Sequence, residues 1–315
     1  MKYCHMTRIG TVKGSVCAMD SLKCEAFLLA AQKGSLTQAG EALGYTQSGI
    51  TRMIRSLENE IGFPLLVRTP HGVRLTSDGE TMLPSLRNIV RAEKMAMNRG
   101  AEIRGIIQGT LHIGSYYSVS AAWIPKILRA FRQDFPQVDI HLHEGTNLEL
   151  SRWLMERSID LCLSAQPAKG TACDWIPLYR DELRVWLPPD HPAARQKDFP
   201  IAALQGAPFI ITLPQHDTDI DRFLAAEQIE PDIQFTTADP YTTYCMVEEG
   251  LGLSLNNTLT TENWPGRVIT LPFRPARYIE LGLAMPRQEN LSPAAKKFIE
   301  YAQREVKNKS TSCVL

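Results

Sequence analysis

The 315-residue chain is 44% hydrophobic, 8% aromatic and 22% charged, which places it among folded globular proteins and excludes a disordered or fibrous design. Domains usually run to roughly 100 to 150 residues, so two or three units are expected. Thirty-four basic residues balance 34 acidic ones, which excludes a nucleic-acid binder acting through overall positive charge and leaves room for a local basic face.

The first 18 residues, MKYCHMTRIGTVKGSVCA, show neither periodicity nor the apolar core of a secretory signal. They read as a flexible extension, and the chain as cytoplasmic. No run of about 18 apolar residues occurs, so no membrane is expected as a partner. The seven cysteines, Cys4, Cys17, Cys24, Cys162, Cys173, Cys245 and Cys313, are odd in number and lack CxxC spacing, against both a disulfide framework and a zinc knuckle. Cys313 is third from the end, one place short of a prenylation site.

From Ser21 to Lys33, Leu22, Ala26, Leu29 and Ala30 recur at helical spacing and Gly34 stands at the cap. Ser35 opens a capping box with Gln38, leading into a short helix with Ala39, Ala42 and Leu43 that Gly44 stops. After the turn Gly44-Tyr45-Thr46, the residues Ile50, Met53, Ile54, Leu57 and Ile61 form one apolar stripe, ended by Gly62. Two helices joined by a three-residue glycine turn describe a helix-turn-helix, whose second helix enters the DNA major groove. Its polar face carries Gln47, Ser48, Thr51, Arg52 and Arg55. Glutamine suits adenine, arginine suits guanine, and serine and threonine suit bases or phosphate. Gly49 costs the helix about 1 kcal/mol relative to alanine and would leave room for a partner's backbone. A plain solvated face is the competing reading of these residues.

Next, FPLLVRTPHGVRLT predicts a β-hairpin wing around Pro70-His71-Gly72, with Arg68 and Arg74 flanking the tip where phosphate would lie. Residues 19 to 76 hold six basic side chains against five acidic ones, so one copy should grip DNA weakly and a dimer is needed. Ser77-Asp78-Gly79-Glu80 reads as a capping box opening a long helix to about Arg104, with Met82, Leu86, Ile89, Val90 and Met95 on its apolar side. That helix fits a linker pairing with its own copy, kinked early by Pro84.

Beyond Gly109 the strands TLHIGS, VDIHLHEG, IDLCLS, ELRVWLP and PFIITLP alternate with helical segments at Trp123 to Phe135 and Leu148 to Arg157. This is the pattern of an α/β fold with largely parallel sheets, whose ligands sit beyond the strands' carboxyl ends. There lie Ser115 to Ser118, Gly145-Thr146-Asn147, Ser164 and Thr212. Thr146 also reads as a helix cap, with Glu149 completing the box. The hydrogen-bonding residues Ser118, Thr146 and Asn147 suit a polar, carboxylate-bearing ligand. Asp239-Pro240 opens a further helix that Gly250 closes. No GxSxG, HExxH, P-loop or GxGxxG motif appears, so no catalytic residues are assigned. His112, His141 and His143, with Glu144 following, fall on one side of adjacent strands, but alternation alone supplies no metal geometry and packed or surface histidines are expected. Cys162 and Cys173 are read as inert thiols rather than a redox pair. No cofactor and no metal are expected.

Phe27, Gly34-Ser35, Ala39, Leu43, Gln47-Ser48, Ile50-Thr51, Ile54, Leu57-Glu58, Gly62, Leu65-Leu66, Arg68, Leu75-Thr76 and Gly79 together resemble the signature of the LysR-type transcriptional regulators. The resemblance runs from Met19 to about Val306. The family pattern usually has alanine at Gly40 and Gly49, serine at Thr46 and Thr51, and often phenylalanine at Leu66. These departures bear on the preferred DNA sequence. The resemblance implies an α/β chain with an N-terminal, mostly α winged helix-turn-helix, a dimerising linker helix, and an effector domain of two α/β lobes like a type 2 periplasmic binding protein. It also implies that Ser118, Thr146 and Thr212 line the cleft between the lobes. Peroxide-sensing relatives carry redox cysteines early in the second lobe, whereas this chain has none between Cys173 and Cys245.

The expected organisation is an extension at 1–18, the winged helix-turn-helix at 19–76, the linker helix at 77–106, the effector domain at 107–307 and a tail at 308–315. Lobe one comprises 109–181 and 276–307, and lobe two 182–275. The chain is thus read as a ligand-responsive transcriptional regulator rather than an enzyme. Its expected partners are promoter DNA, its own copies as a dimer or tetramer, a small-molecule effector and RNA polymerase. Ser35, Gln47, Ser48, Thr51, Arg52, Arg55 and Arg68 are assigned to DNA, and Ser118, Thr146, Asn147, Ser164 and Thr212 to the effector. The alternatives are a cytoplasmic enzyme or a solute-binding protein with an appended helix-turn-helix.

Overall fold

The computed structural model describes residues 19–168, 170–262, 264–287 and 291–312. The expected extension at 1–18 lies outside them. The chain forms two compact units that divide between Lys94 and Met95.

The first unit contains α1 (Ser21–Lys33), α2 (Leu36–Leu43), α3 (Gln47–Ile61), β1 (Leu66–Thr69), β2 (Gly72–Leu75) and the first part of α4 (Ser77–Ile103). Each short helix has local start and stop signals. Asp20, Ser35 and Thr46 cap the N-termini through their side-chain oxygens, and Gly34, Gly44 and Gly62 end the helices in the left-handed region. Of the box expected at α2, the Ser35 half is formed, accepting from the Gln38 amide at 3.3 Å. Phe27, Ile50, Leu57, Leu65 and Leu86 are fully buried in one core. Burial of each such side chain contributes about 1.5–3 kcal/mol.

At α4 the expected cap is displaced by one residue. Thr76 accepts from the Gly79 amide at 2.9 Å and its hydroxyl donates to the Pro64 carbonyl at 2.9 Å. Thr76 is therefore held by the wing as well as by the helix. The helix then continues unbroken through Pro84 to Ile103. Leu86 and Val90 join the first unit's core, whereas Met97 and Ile103 are 70% and 88% exposed.

The second unit continues with β3 (Gly109–Ser115), α5 (Tyr117–Ala122), α6 (Ile124–Asp134), β4 (Val138–Glu144), α7 (Asn147–Met155), β5 (Leu161–Ala165) and β6 (Asp174–Leu187). After these come β7 (Phe199–Pro200), β8 (Pro208–Thr212), α8 (Asp219–Glu227), β9 (Asp232–Thr237), α9 (Pro240–Glu248), β10 (Ser254–Asn257), α10 (Thr258–Thr261), β11 (Ile269–Met285) and α11 (Pro293–Ser312). The main sheet runs β10-β6-β11-β5-β3-β4, with β7 on β11, while β8 and β9 form a separate parallel pair. The β3 pairings with β4 and β5 are parallel, but β6 pairs antiparallel with β10 and β11. The sheet is thus mixed rather than largely parallel. The reason is that β6 and β11, 14 and 17 residues long, run between two lobes in opposite directions.

Two apolar cores mark these lobes. Leu111, Ile113, Phe131, Leu163, Leu283 and Phe298 build one; Val185, Leu204, Phe209, Phe223, Leu255 and Phe273 build the other. β11 changes register on β6 between Pro272 and Arg277, where it passes from one core to the next. α11 covers residues 308–312, where a tail was expected. No glycine or proline follows Val306 to stop the helix. Among the described residues no helix is long and apolar enough to cross a membrane.

Candidate DNA-reading face and effector cleft

The turn before α3 is unusually close. The Tyr45 amide bonds the Gly40 carbonyl at 2.9 Å, and a Cβ at Gly40 would stand 2.5 Å from the Tyr45 carbonyl oxygen. Thr46 then accepts from the Gly49 amide at 3.1 Å and contacts the Ser48 hydroxyl at 3.0 Å. Gln47, Ser48, Arg52 and Arg55 are exposed, whereas Thr51 is half-buried with its hydroxyl donated to the Gln47 carbonyl at 2.9 Å. At about 100° per residue these five positions span an arc of about 140°, opposite buried Ile50, Ile54 and Leu57. Among the described residues no carboxylate pairs with Arg52, Arg55 or Arg68. Their charges are therefore available to a polyanion.

At Gly49 a Cβ would meet Thr46 Oγ1 at 3.3 Å and Tyr45 Cβ at 3.7 Å, so the space there is bounded in part by the chain's own cap. The wing is tied to the helices at two points. The Glu58 Oε1 of α3 accepts from the Leu65 and Leu66 amides at 2.8 and 3.1 Å, and the Val73 amide bonds the Gly34 carbonyl at 2.9 Å. The pairings Arg68 with Val73 and Val67 with Arg74 place the two wing arginines on opposite faces of the hairpin.

In the second unit the expected ligand-binding side chains are all buried, and most already have partners. Ser118, in the first turn of α5, accepts from Asn257 Nδ2 at 3.2 Å; that same amide reaches Asp181 Oδ2 at 2.6 Å. Thr146 and Glu149 form a full capping box on α7, and the Thr146 amide hydrogen bond holds the Glu149 carboxyl below its ordinary range. Asn147 donates from Nδ2 to the Asp217 carbonyl at 3.1 Å, whereas its Oδ1 is buried without a partner. Ser164 donates to the Ala165 carbonyl of its own strand at 2.9 Å. Thr212 lies 2.7 Å from the Thr243 hydroxyl, which in turn lies 2.6 Å from that of Thr237. The structure thus brings Ser118 and Asn147 to contacts crossing between the lobes, while Ser164 and Thr212 bond within their own.

Sequence reasoning missed the partners. Tyr116 faces Asp219, the first residue of α8. Burial pushes the Asp219 carboxyl up to about 6, against the opposing pull of Arg222; burial and the facing Asp219 push the Tyr116 hydroxyl well above its usual range. Arg222 forks onto Asp217, with Nε to Oδ1 at 2.8 Å and Nη2 to Oδ2 at 2.5 Å, and donates from Nη1 to the Gln166 carbonyl at 2.8 Å. Leu213, Gln215 and Asp217, between β8 and α8, have φ of 48°, 67° and 55°. Three non-glycine residues in the left-handed region within five positions mark a strained loop of the kind found at ligand sites. The signal available beforehand was the capping pattern Thr218-Asp219-Ile220-Asp221, which announces a helix start without showing what faces it.

Of the remaining candidates, Cys162 donates from Sγ to Ser164 Oγ at 3.8 Å. His112 stacks on His141 with ring centroids 5.0 Å apart, its Nδ1 is 3.0 Å from His143 Nε2, and His141 Nε2 lies 2.9 Å from Asp139 Oδ2. Among the described residues no group of three His, Cys, Asp or Glu side chains is placed to hold a metal ion. Cys162 and Cys173 are free, and burial drives the Cys162 thiol up to about 12. An open apolar pocket of about 480 Å³ lies on the second lobe against Pro188, His191, Phe199 and Leu253, away from the expected ligand-binding residues.

Residues 23–80 match the family described as bacterial regulatory helix-turn-helix protein, lysR family, and residues 104–307 match the LysR substrate binding domain. The uncharacterized HTH-type transcriptional regulator YvbU of Bacillus subtilis strain 168 is 31% identical over 290 residues, covering 90% of this chain and 98% of that protein. The Hca operon transcriptional activator HcaR of Escherichia coli K12 is 30% identical over 290 residues, covering 89% and 96%. Among solved structures, full-length OxyR from Pseudomonas aeruginosa superposes with a TM-score of 0.72 at 20% identity, covering 92% of this chain and 95% of that one. CbnR complexed with its target DNA gives 0.64 at 21% identity, covering 91% and 100%. The chain belongs to the LysR family of DNA-binding transcriptional regulators, with a helix-turn-helix at its N-terminus and a substrate-binding domain of two α/β lobes after it.

Proposed function

We propose that this regulator binds promoter DNA in the cytoplasm as a homo-oligomer, reading bases with Gln47, Ser48, Thr51, Arg52 and Arg55 while Ser35 and Arg68 contact the backbone. The observation that carries the reading is the arc of exposed donors on α3, whose guanidinium groups meet no carboxylate among the described residues. A base-specific bidentate contact is worth about 1–3 kcal/mol. Arg52→Ala and Gln47→Ala should therefore each weaken binding to genomic fragments selected by the wild-type chain, with unchanged circular dichroism. Identical footprints for both variants and wild type would remove the assignment. A second copy pairing along the distal half of α4 accounts for exposed Met97 and Ile103, and sedimentation at micromolar concentration tests it; a monomer sinks it.

In the same reading, a small molecule held between the lobes near Ser118, Thr146, Asn147, Ser164 and Thr212 acts as effector. It shifts the balance of lobe or subunit arrangements and so alters DNA bending and the contact with RNA polymerase. The domain limits are those set out above, except that α11 runs on to Ser312, and the cleft has no catalytic role. A metabolite thermal-shift screen checks the effector site, since a ligand at about 100 times its dissociation constant stabilises by about 2.7 kcal/mol. A screen in which no hit loses its effect on substitution of Asn147 would remove it.

A further inference from the structure

Resting on the reading of the cleft as the effector site, we propose that its ligand is an organic amine, bound as the ammonium, rather than a carboxylate. The inference starts from unmet hydrogen-bonding capacity. Asn147 and Asp219 are 3% and 6% exposed, and Asn147 Oδ1 and Asp219 Oδ2 have no partner. An amide oxygen and a carboxylate oxygen are acceptors, and buried acceptors are normally satisfied. They stand on facing elements: Asn147 begins α7 in one lobe and bonds the Asp217 carbonyl of the other, two residues before Asp219. A ligand that supplies donors completes both, whereas a carboxylate would bring further acceptors to them.

The groups at α7 and α8 that would welcome an anion are already committed, although the start of α5 has no side-chain cap. The amides at the start of α7 and α8 are covered by the capping boxes Thr146/Glu149 and Thr218/Asp221, which place the chain's own carboxylates there. Arg222 is the basic side chain that reaches Asp219, and its Nε, Nη1 and Nη2 are held by Asp217 and the Gln166 carbonyl. Asp181, buried behind Ser118 and Asn257, adds to the field on Asp219 with the same sign.

Aromatic rings also meet between the lobes. Tyr117 follows Tyr116, which faces Asp219, and meets Trp264 of the other lobe with ring centroids 6.3 Å apart; Tyr241 lies 5.2 Å from Trp264. Tyr117 and Tyr241 are about two-fifths exposed, so their faces are open to a ligand. Asp239 and Glu144 also bear on Tyr117, raising its hydroxyl pKa after burial. Ring faces and carboxylates together favour a cation with an apolar body.

The test titrates the full chain at pH 7.5 with phenethylamine, benzylamine and tyramine, and with 3-phenylpropanoate as an anion of similar shape, following heat and melting temperature. At least one amine should bind and raise the melting temperature, and 3-phenylpropanoate should not. Asp219→Asn should weaken amine binding about tenfold or more, as expected for loss of a charge-assisted hydrogen bond. Asn147→Ala provides a second variant should Asp219→Asn fail to fold, with the same direction expected. Binding of 3-phenylpropanoate in place of the amines overturns the proposal and keeps the cleft as effector site, with Arg222 released to the anion. Amine binding equally tight in both variants, or no amine binding at millimolar concentration, also overturns it. The cleft's role as an effector site is then judged separately by the metabolite screen.

Discussion

The proposed reading face of α3 and the proposed effector cleft between α7 and α8 are both built from hydrogen-bonding side chains, yet they are in opposite states. On α3, Gln47, Ser48, Arg52 and Arg55 stand exposed, with the arginines unpaired among the described residues. In the cleft, Ser118, Asn147 and Asp219 are buried and tied to segments far away in sequence, Ser118 to Asn257 across 139 residues. A surface that meets a large polyanion needs a presented row of donors; a site for a small molecule must surround it. The first is made by one helix and its cap, the second by several segments that fold together.

Substitutions can break this contrast, beginning with the largest effect. Gly72 has φ of 132°, and a Cβ there would stand 2.1 Å from the Gly34 carbonyl oxygen. Gly72→Val should cost roughly 3 kcal/mol or more and abolish DNA binding, seen as loss of the first unit's thermal transition. A variant that retains both would show that the wing is not seated on α1.

Asp219 gives a pH-dependent effect of on the order of 2–3 kcal/mol. Its folded pKa, raised by burial to about 6, lies above the unfolded value near 3.9, so the folded state binds the proton more tightly. The stabilisation is complete below about pH 4 and is lost as pH rises through about 6. Asp219→Asn should therefore gain stability relative to wild type across that interval, measured by urea denaturation at several pH values. A difference independent of pH would place the carboxyl in a more hydrated setting.

On the open face, Arg55→Ala should weaken DNA binding by roughly 1 kcal/mol. It should also reduce the salt dependence if Arg55 contacts phosphate, and relax base preference if it contacts a base. Competition binding at several salt concentrations separates the two, and no change in either removes Arg55 from the interface. The smallest effect is expected at Thr146→Ala, which removes one cap and costs about 1 kcal/mol of effector-unit stability. An unchanged melting temperature would mean that Glu149 alone holds the helix start.

Much of the first unit was legible because its signals are local. The apolar stripe of α3, the glycine stops and the Ser35 cap can be read within a few residues of where they act. A departure arose where a neighbour intervened: Thr76 takes the place of Ser77 as a cap and also holds the Pro64 carbonyl. In the second unit the strands were recognisable, but their directions were not. β6 and β11 look like ordinary apolar runs, yet they pair antiparallel over both lobes.

The amino-acid sequence by itself determined the family, the helix-turn-helix and the row of donors on α3, because periodicity and capping act over one or two turns of chain. The tertiary structure alone decided which buried groups meet. Tyr116 finds Asp219, Asn147 finds the Asp217 carbonyl, and Arg222 is withdrawn onto Asp217 and Gln166. Those pairings depend on two lobes held by β6 and β11, and the charge balance of the cleft depends on which side chains that arrangement leaves without a partner.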